Sequence, residues 1–129
     1  MTIESTIQIT DNKVREFAKL VGDFNPIHLD EAYASRSPFK KRIAHGMLVA
    51  SHFSTMIAED FPGPGSVYLS QSINFIGPCY INDTIRFKIK LINRKKNKFY
   101  LKTTAFNDES DMILSGEALV LNKKTTKNI

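Results

Sequence analysis

Residues 46–61 constrain the fold most, because they predict a helix that is apolar on almost every side. A run of alternating prolines and glycines at residues 62–65 ends this helix, since proline has no amide hydrogen to donate. A helix of this kind is expected inside a domain, surrounded by other elements. The exceptions, Ser51, Ser54 and Thr55, share one face of the helix. Their hydroxyls either bond back to helix carbonyls or line a pocket.

Most of the remaining chain alternates apolar and polar residues with the period of two that predicts half-buried β-strands. One such strand comes first, over residues 3–9. The strands expected after the long helix cover residues 67–75, 84–91, 99–106 and 112–121. One buried helix and a meander of antiparallel strands predict an α+β domain, with a curled sheet wrapped around the helix.

Length and charge limit the organisation and the partners. The chain has 129 residues, which fits one domain. We place that domain at residues 1–121 and expect residues 122–129 to form a frayed, basic tail. The net charge of +5 suits an anionic ligand, such as a phosphate-bearing cofactor or an acidic carrier protein. Positive residues at 94–98 are expected at a hairpin tip without a recognition motif, so nucleic acid is not an expected partner.

The cysteine content and the hydropathy of the chain indicate in which cellular compartment it is expected. Cys79 is the single cysteine, so the chain can form no intrachain disulfide, which fits a reducing compartment. The first residues lack the basic and apolar pattern of a secretory signal. No segment approaches the ~20 apolar residues that are needed to cross a bilayer. We therefore expect a cytoplasmic protein with no membrane partner.

A turn between two short elements carries the first candidate site. A short amphipathic helix is expected from about Thr10 to Gly22, and it presents Asp23 at its C-terminal edge. Asn25-Pro26 then turns the chain, so that the side chains of Asp23 and His28 can converge. A carboxylate and an imidazole held together can bind one water and shuttle its proton at neutral pH. The same residues also fit a plain helix-ending turn, with His28 packed at the surface.

The start of the long helix carries the second candidate site. Gly46 lies where backbone amides lack intrahelical partners, and these amides attract the negative charge of a developing oxyanion. Glycine lets a ligand approach the backbone closely, although Gly46 also fits a simple tight junction. His45 can anchor the preceding loop by a hydrogen bond, and we assign it no catalytic role. His28, His45 and His52 lack dense ligand spacing, so no metal is expected.

Three blocks, at residues 22–30, 43–51 and 62–69, together resemble the MaoC-like (R)-specific enoyl-CoA hydratases. They fall in the family's order and spacing, and the resemblance spans about residues 10–121. The short single-domain hydratases of the polyhydroxyalkanoate pathway are the most similar members. The resemblance implies the hotdog fold and, in most members, a dimer. An exposed sheet edge and helix face would favour symmetric pairing into such a homodimer.

The resemblance also implies roles for individual residues. It maps the catalytic pair onto Asp23 and His28, and it maps the amide that receives the thioester oxygen onto Gly46. Ser54 takes the position of a helix serine beside the pocket, and Ile57 lies one turn further along. The expected oxyanion and substrate-binding residues are therefore Gly46, Ser54, Asn25 and Ile57.

The implied reaction is the reversible syn addition of water to a trans-2-enoyl-CoA, giving an (R)-3-hydroxyacyl-CoA. No separate cofactor is expected, because CoA is part of the acyl-CoA substrate. An acyl-CoA thioesterase and a non-catalytic acyl-CoA-binding module are the alternatives, since one fold hosts several functions. The pairing of Asp23 with His28 favours the hydratase. The sequence leaves open which of the two is the base, the acyl length and the choice between CoA and acyl-carrier protein.

Overall fold

The computed structural model describes residues 1–124, and its sheet confirms the predicted α+β hotdog fold. The predicted tail residues 125–129 lie outside the described part. The sheet is antiparallel with strand order β1-β4-β5-β6-β2, and the short β3 also pairs with β6. The elements are β1 (Thr2–Gln8), α1 (Asp11–Val21), α2 (Pro26–Leu29), α3 (Glu31–Ser35), α4 (Gly46–Glu59), β2 (Val67–Gln71), β3 (Asn74–Phe75), β4 (Thr84–Lys95), β5 (Lys98–Phe106) and β6 (Met112–Leu121).

The core lies between α4 and the concave face of the sheet. Phe53 of α4 is 1% exposed and meets the fully buried Phe87 of β4 edge to face, with ring centroids 5.5 Å apart. Burying one such aromatic side chain stabilises the fold by about 1.5–3 kcal/mol relative to leaving it in water. This packing fixes α4 against the sheet and so fixes the position of its N-terminus.

The long helix was predicted to be buried on almost every side. That prediction is wrong for the single chain, because the outer face of α4 is exposed. Met47 is 59% exposed, and Ser51, Ser54, Thr55 and Ala58 are also exposed. The hydroxyls that were predicted to share a face do share it, but that face points away from the core. The helix pattern was misleading because hydropathy does not show whether an apolar residue is covered by this chain's own sheet.

Residues 67–75 form two strands, whereas the alternation predicted one. A bulge interrupts the pairing of β2 with β6 between Tyr68 and Ser70. Past β2 the chain crosses β6 at Gly116, where an added Cβ atom would lie 1.8 Å from the carbonyl oxygen of Ser72. Only glycine leaves room for that crossing. β2 lies at an edge of the sheet, with Leu69 47% exposed.

The end of the domain lies slightly beyond the predicted boundary. Asn122 was predicted to begin a frayed tail, but it is 1% exposed. Its side-chain amide donates to the carbonyl oxygens of Gly63 and Pro64, both at 3.2 Å. These bonds hold the end of β6 against the turn after α4. Among the described residues, no helix is long and apolar enough to span a membrane.

Candidate active site

The corner between α1 and α2 is built by local sequence signals. Gly22 ends α1 in the left-handed conformation with φ 77°, and its amide donates to Ala18. Asn25 caps α2 through its side-chain oxygen, and Pro26 occupies the first helical turn, where a missing amide hydrogen costs nothing. Asp23 therefore follows α1 and His28 lies within α2, as predicted from the sequence of this corner. In the structure, Asn25 thus serves as the N-cap of α2.

The environment of His28 selects its tautomer and favours its neutral form. Its Nδ1 atom lies 2.8 Å from the carbonyl oxygen of Ile43. Because a carbonyl only accepts, Nδ1 carries the hydrogen and Nε2 of the neutral ring is the free proton acceptor. Burial lowers the pKa of His28, and the nearby His45 and Arg42 lower it further, against the opposing effects of the Ile43 carbonyl and Asp23. His28 is thus suited to accept a proton at neutral pH.

His45 contacts both Asp23 and His28, and the stack on His28 was not predicted from the sequence. Its ring is 2% exposed, and its Nε2 atom lies 3.1 Å from the backbone oxygen of Asp23. The same ring stacks on His28, with centroids 3.9 Å apart and planes at 30°. Phe17 of α1 packs against it at 5.0 Å. The expected loop anchor is confirmed, and its partner is the backbone of Asp23.

Asp23, His28 and His45 come close enough to raise the question of a metal. One potential ligand atom from each lies within 4.8 Å of the others. Sequence spacing did not reveal this cluster, because the fold brings residues from separate segments together. One nitrogen of each ring already bonds a backbone oxygen, Nδ1 of His28 to Ile43 and Nε2 of His45 to Asp23, so each histidine has only one nitrogen left for a metal. That the protein needs no metal stays a prediction.

An apolar cavity of about 310 Å³ opens beside His28 and the N-terminus of α4. The first internal bond of α4 runs from the amide of Val49 to the carbonyl of His45, so the amide of Gly46 precedes the bonded turns. Phe75 covers Gly46: an added Cβ atom would lie 2.5 Å from its ring. The glycine therefore makes room for an aromatic ring at the cavity wall, a contact that the sequence did not indicate. Further lining residues include Val49, Cys79, Ile113 and Leu114.

Two of the expected substrate-binding residues lie away from this cavity in the single chain. Ser54 lines a separate groove between the outer face of α4 and β2, together with Met47 and Leu69. Ile57 is 2% exposed and belongs to the core. The structure thus brings His28 and Gly46 to one cavity but does not bring Ser54 or Ile57 to it. Their predicted contact with the acyl chain stays a prediction.

Arg42 supports the corner from behind and was not singled out from sequence. Its guanidinium is 5% exposed, and its Nε atom donates to the carbonyl oxygen of His28 at 2.7 Å. It also pairs with Asp11 at the start of α1 and with Glu31 of α3. Burial of a charged group is tolerated only with such partners. Arg42 therefore ties α2, α3 and α1 together beneath the candidate site.

Comparisons with known proteins identify the family of this chain. The family model of the MaoC like domain matches residues 1–112. A 3-hydroxybutyryl-CoA dehydratase of Methylorubrum extorquens is 41% identical over 88% of this chain and 73% of its own length. An (R)-specific enoyl-CoA hydratase of Aeromonas caviae is 38% identical over 84% of this chain and 82% of its own length.

A solved structure extends the similarity to the fold. The (R)-hydratase from A. caviae involved in PHA biosynthesis superposes with a TM-score of 0.90 at 34% identity, covering 95% of this chain and 94% of that one. The family match includes all three blocks that carry the site. The chain belongs to the MaoC-like domain family.

Proposed function

We propose that this protein is an (R)-specific enoyl-CoA hydratase, a hydro-lyase that adds water reversibly to trans-2-enoyl-CoA. The observation that carries the proposal is the convergence of the Asp23 carboxylate and the His28 imidazole beside His45, the N-cap residue of α4. His28 and Gly46 also line one cavity. The two relatives described above are named for the hydration of acyl-CoA thioesters or its reverse. Both directions use the same groups, because they share one transition state.

His28 and Asp23 divide the work on one water in this proposal. Potential ligand atoms of the two side chains lie within 4.8 Å, a span that one water crosses with two hydrogen bonds of ~2.8 Å each. Asp23 accepts one hydrogen of the water and orients it. His28 takes the other proton at Nε2, the nitrogen left free by the bond to Ile43.

The remaining steps balance without any added reagent. The hydroxide oxygen bonds to C3 as the double-bond electrons move towards the thioester oxygen. The amide of Gly46 at the N-terminus of α4 stabilises that oxyanion, and losing such a donor typically costs about 3 kcal/mol of transition-state stabilisation. His28 then returns its proton to C2, which re-forms the thioester carbonyl. We accordingly propose that the enzyme needs neither a cofactor nor a metal.

The cavity and the charge support an acyl thioester as substrate. The walls beside His28 are apolar, which suits the acyl chain, while the net charge of +5 suits the phosphates of CoA. A phosphopantetheine-bearing carrier protein is also anionic, so charge alone does not choose between the two carriers. A cytoplasmic location remains a prediction that rests on cysteine usage.

We further propose a homodimer that covers the outer face of α4 and the β2 edge. Met47 is 59% exposed, Val67 53% and Leu69 47%. Soluble monomers rarely expose a cluster of large apolar side chains. β2 also presents the unpaired side of an edge strand. A second copy placed across a two-fold axis would cover both features at once. It would also enclose the groove that contains Ser54.

One assay separates the proposed activity from its alternatives. The purified protein is mixed with crotonyl-CoA, and the alkene absorbance is followed together with the release of free thiol. A hydratase lowers the absorbance without releasing thiol, whereas a thioesterase releases thiol. A binding module changes neither signal, and either of the last two results would refute the proposed function.

A further inference from the structure

We propose that His45 is a positioning residue of the hydratase site, which holds Asp23 and His28 in one arrangement. The inference rests on the proposed function and adds a residue to its machinery. One imidazole contacts both members of the pair: it bonds to the backbone of Asp23 and stacks on the ring of His28. It also precedes Gly46 directly in the chain, as the N-cap residue of α4.

The contact with Asp23 fixes a residue whose other hydrogen bonds are local, including one from its amide to the carbonyl oxygen of Ala18. Asp23 is exposed, and its carboxylate accepts from the amide of Asn25 at 3.2 Å. Its backbone oxygen accepts the Nε2 hydrogen of His45 at 3.1 Å, a bond between residues 22 positions apart. This bond joins the corner to the start of α4. The distance between the carboxylate and the amide of Gly46 therefore depends on His45.

The contact with His28 fixes the orientation of the reacting ring. His28 lies with its ring against that of His45 at 3.9 Å, and Phe17 supports His45 at 5.0 Å. Since the Nδ1 atom of His28 is held by Ile43, the stack and this bond together restrict both the tilt and the rotation of the ring. Nε2 of His28 is thereby aimed at one place. Misplacing a reacting group by about 1 Å costs on the order of a hundredfold in rate.

Space filling alone does not explain why this position holds a histidine. The side chain of His45 makes no capping bond to α4, and its Nδ1 atom has no partner within the described part of the chain. A buried nitrogen without a partner is unfavourable, and phenylalanine would fill the same space without it. The charged and titratable groups that act on His28 are Asp23, His45 and Arg42. Among these, His45 and Arg42 oppose protonation of His28, whereas Asp23 favours it.

Two variants separate the two contacts of His45. His45→Phe keeps a ring to stack on His28 but removes the donor to Asp23, and His45→Gln keeps a donor but removes the stack. The matched control is His52→Phe, because His52 is also on α4 and also has a buried nitrogen without a described partner, but packs against Phe87. Each protein is assayed with crotonyl-CoA for kcat, KM and the pH profile.

We expect kcat to fall at least about tenfold in both His45 variants, with KM changed by less than about threefold. The acid limb of kcat/KM should move to higher pH, because His45 is one of the groups that lower the pKa of His28. The control should match the wild type in kcat and in the limb. A rise in KM that matches the fall in kcat would show a merely structural role, and an unchanged kcat would overturn the proposal outright.

A measurement on the unaltered protein covers the case in which neither variant folds. Nitrogen NMR of the imidazoles should show His45 with hydrogen on Nε2 and His28 with hydrogen on Nδ1. A hydrogen on Nδ1 of His45 with none on Nε2 would overturn the proposal, since Nε2 could not then donate to Asp23. A wild type without hydratase activity would refute the proposed function instead, so the two failures are distinguishable.

Discussion

The Nδ1 atom of His28 lies 2.8 Å from the carbonyl oxygen of Ile43, and this bond determines which nitrogen of the neutral ring is free to accept a proton. The bond leaves Nε2 as the acceptor, on the opposite side of the ring. The sequence left open which of Asp23 and His28 is the base, and the proposed mechanism assigns that role to His28. Asp23 then serves to orient the water.

Removing either member of the pair tests this division of work. Asp23→Asn and His28→Ala should each lower kcat by at least about a hundredfold, because each removes a contact to the reacting water. The double variant should lose far less than the product of the single losses, since both groups act on one water. Asp108→Asn, in the exposed turn before β6, is the control for a lost carboxylate. Near-normal turnover in either single variant would exclude that residue from the mechanism.

The pH profile tests the protonation state of His28. The proposed base is neutral His28, so kcat/KM should fall as the pH drops through the pKa of this residue. Burial lowers that pKa, and therefore the acid limb should have its midpoint below about 6.5, the ordinary value for histidine. The limb is measured as kcat/KM against pH in buffers of constant ionic strength. A midpoint well above 6.5 would contradict the assignment of His28 as a buried neutral base.

Gly46 and Phe75 should be energetically coupled. Gly46→Ala would place a methyl group 2.5 Å from the ring of Phe75, so the variant should be less stable and the ring should move. In a Phe75→Ala background the same change should cost less, which gives a coupling energy of roughly 0.5–3 kcal/mol in urea unfolding. Equal costs of Gly46→Ala in both backgrounds would show that the contact does not matter.

The extent to which sequence predicts this protein depends on how local each signal is. The Thr10 cap and the left-handed Gly22 were predictable, because each depends only on near neighbours in the chain. The contact of Phe75 with Gly46 joins residues from β3 and α4, so no local pattern encodes it. The bond from His45 to the backbone of Asp23 likewise joins residues that are far apart in the chain.

The exposed face of α4 shows a second limit of sequence patterns. Met47 is as apolar as the core residues of the same helix, so hydropathy cannot tell a residue that meets the sheet from one that faces outwards. The helix was predicted correctly, whereas the surroundings of its outer face were not. The hydropathy of a residue is the same whether the residue packs against its own chain or against another subunit.

The proposed dimer gives that outer face a testable role. Light scattering at micromolar concentration should show about 29 kDa, twice the 14.6 kDa of one chain. Leu69→Lys should shift the protein towards the monomer, because it places a charge on the β2 edge. Ile92→Lys, at an exposed apolar residue of β4, is the matched control and should leave the dimer intact. A monodisperse wild-type monomer would contradict the proposal.

Stereochemistry tests the proposed one-water mechanism most directly. Asp23 and His28 reach the substrate from the same side of the corner, so hydroxyl and proton should add to one face of the alkene. Crotonyl-CoA is hydrated by the protein, and the product is offered to an (S)-specific 3-hydroxyacyl-CoA dehydrogenase with NAD. The alkene absorbance should fall while almost no NADH forms, because the product is the (R)-3-hydroxy thioester. Full reduction of NAD would contradict (R)-specific hydration, and a racemic product would contradict addition from a single face.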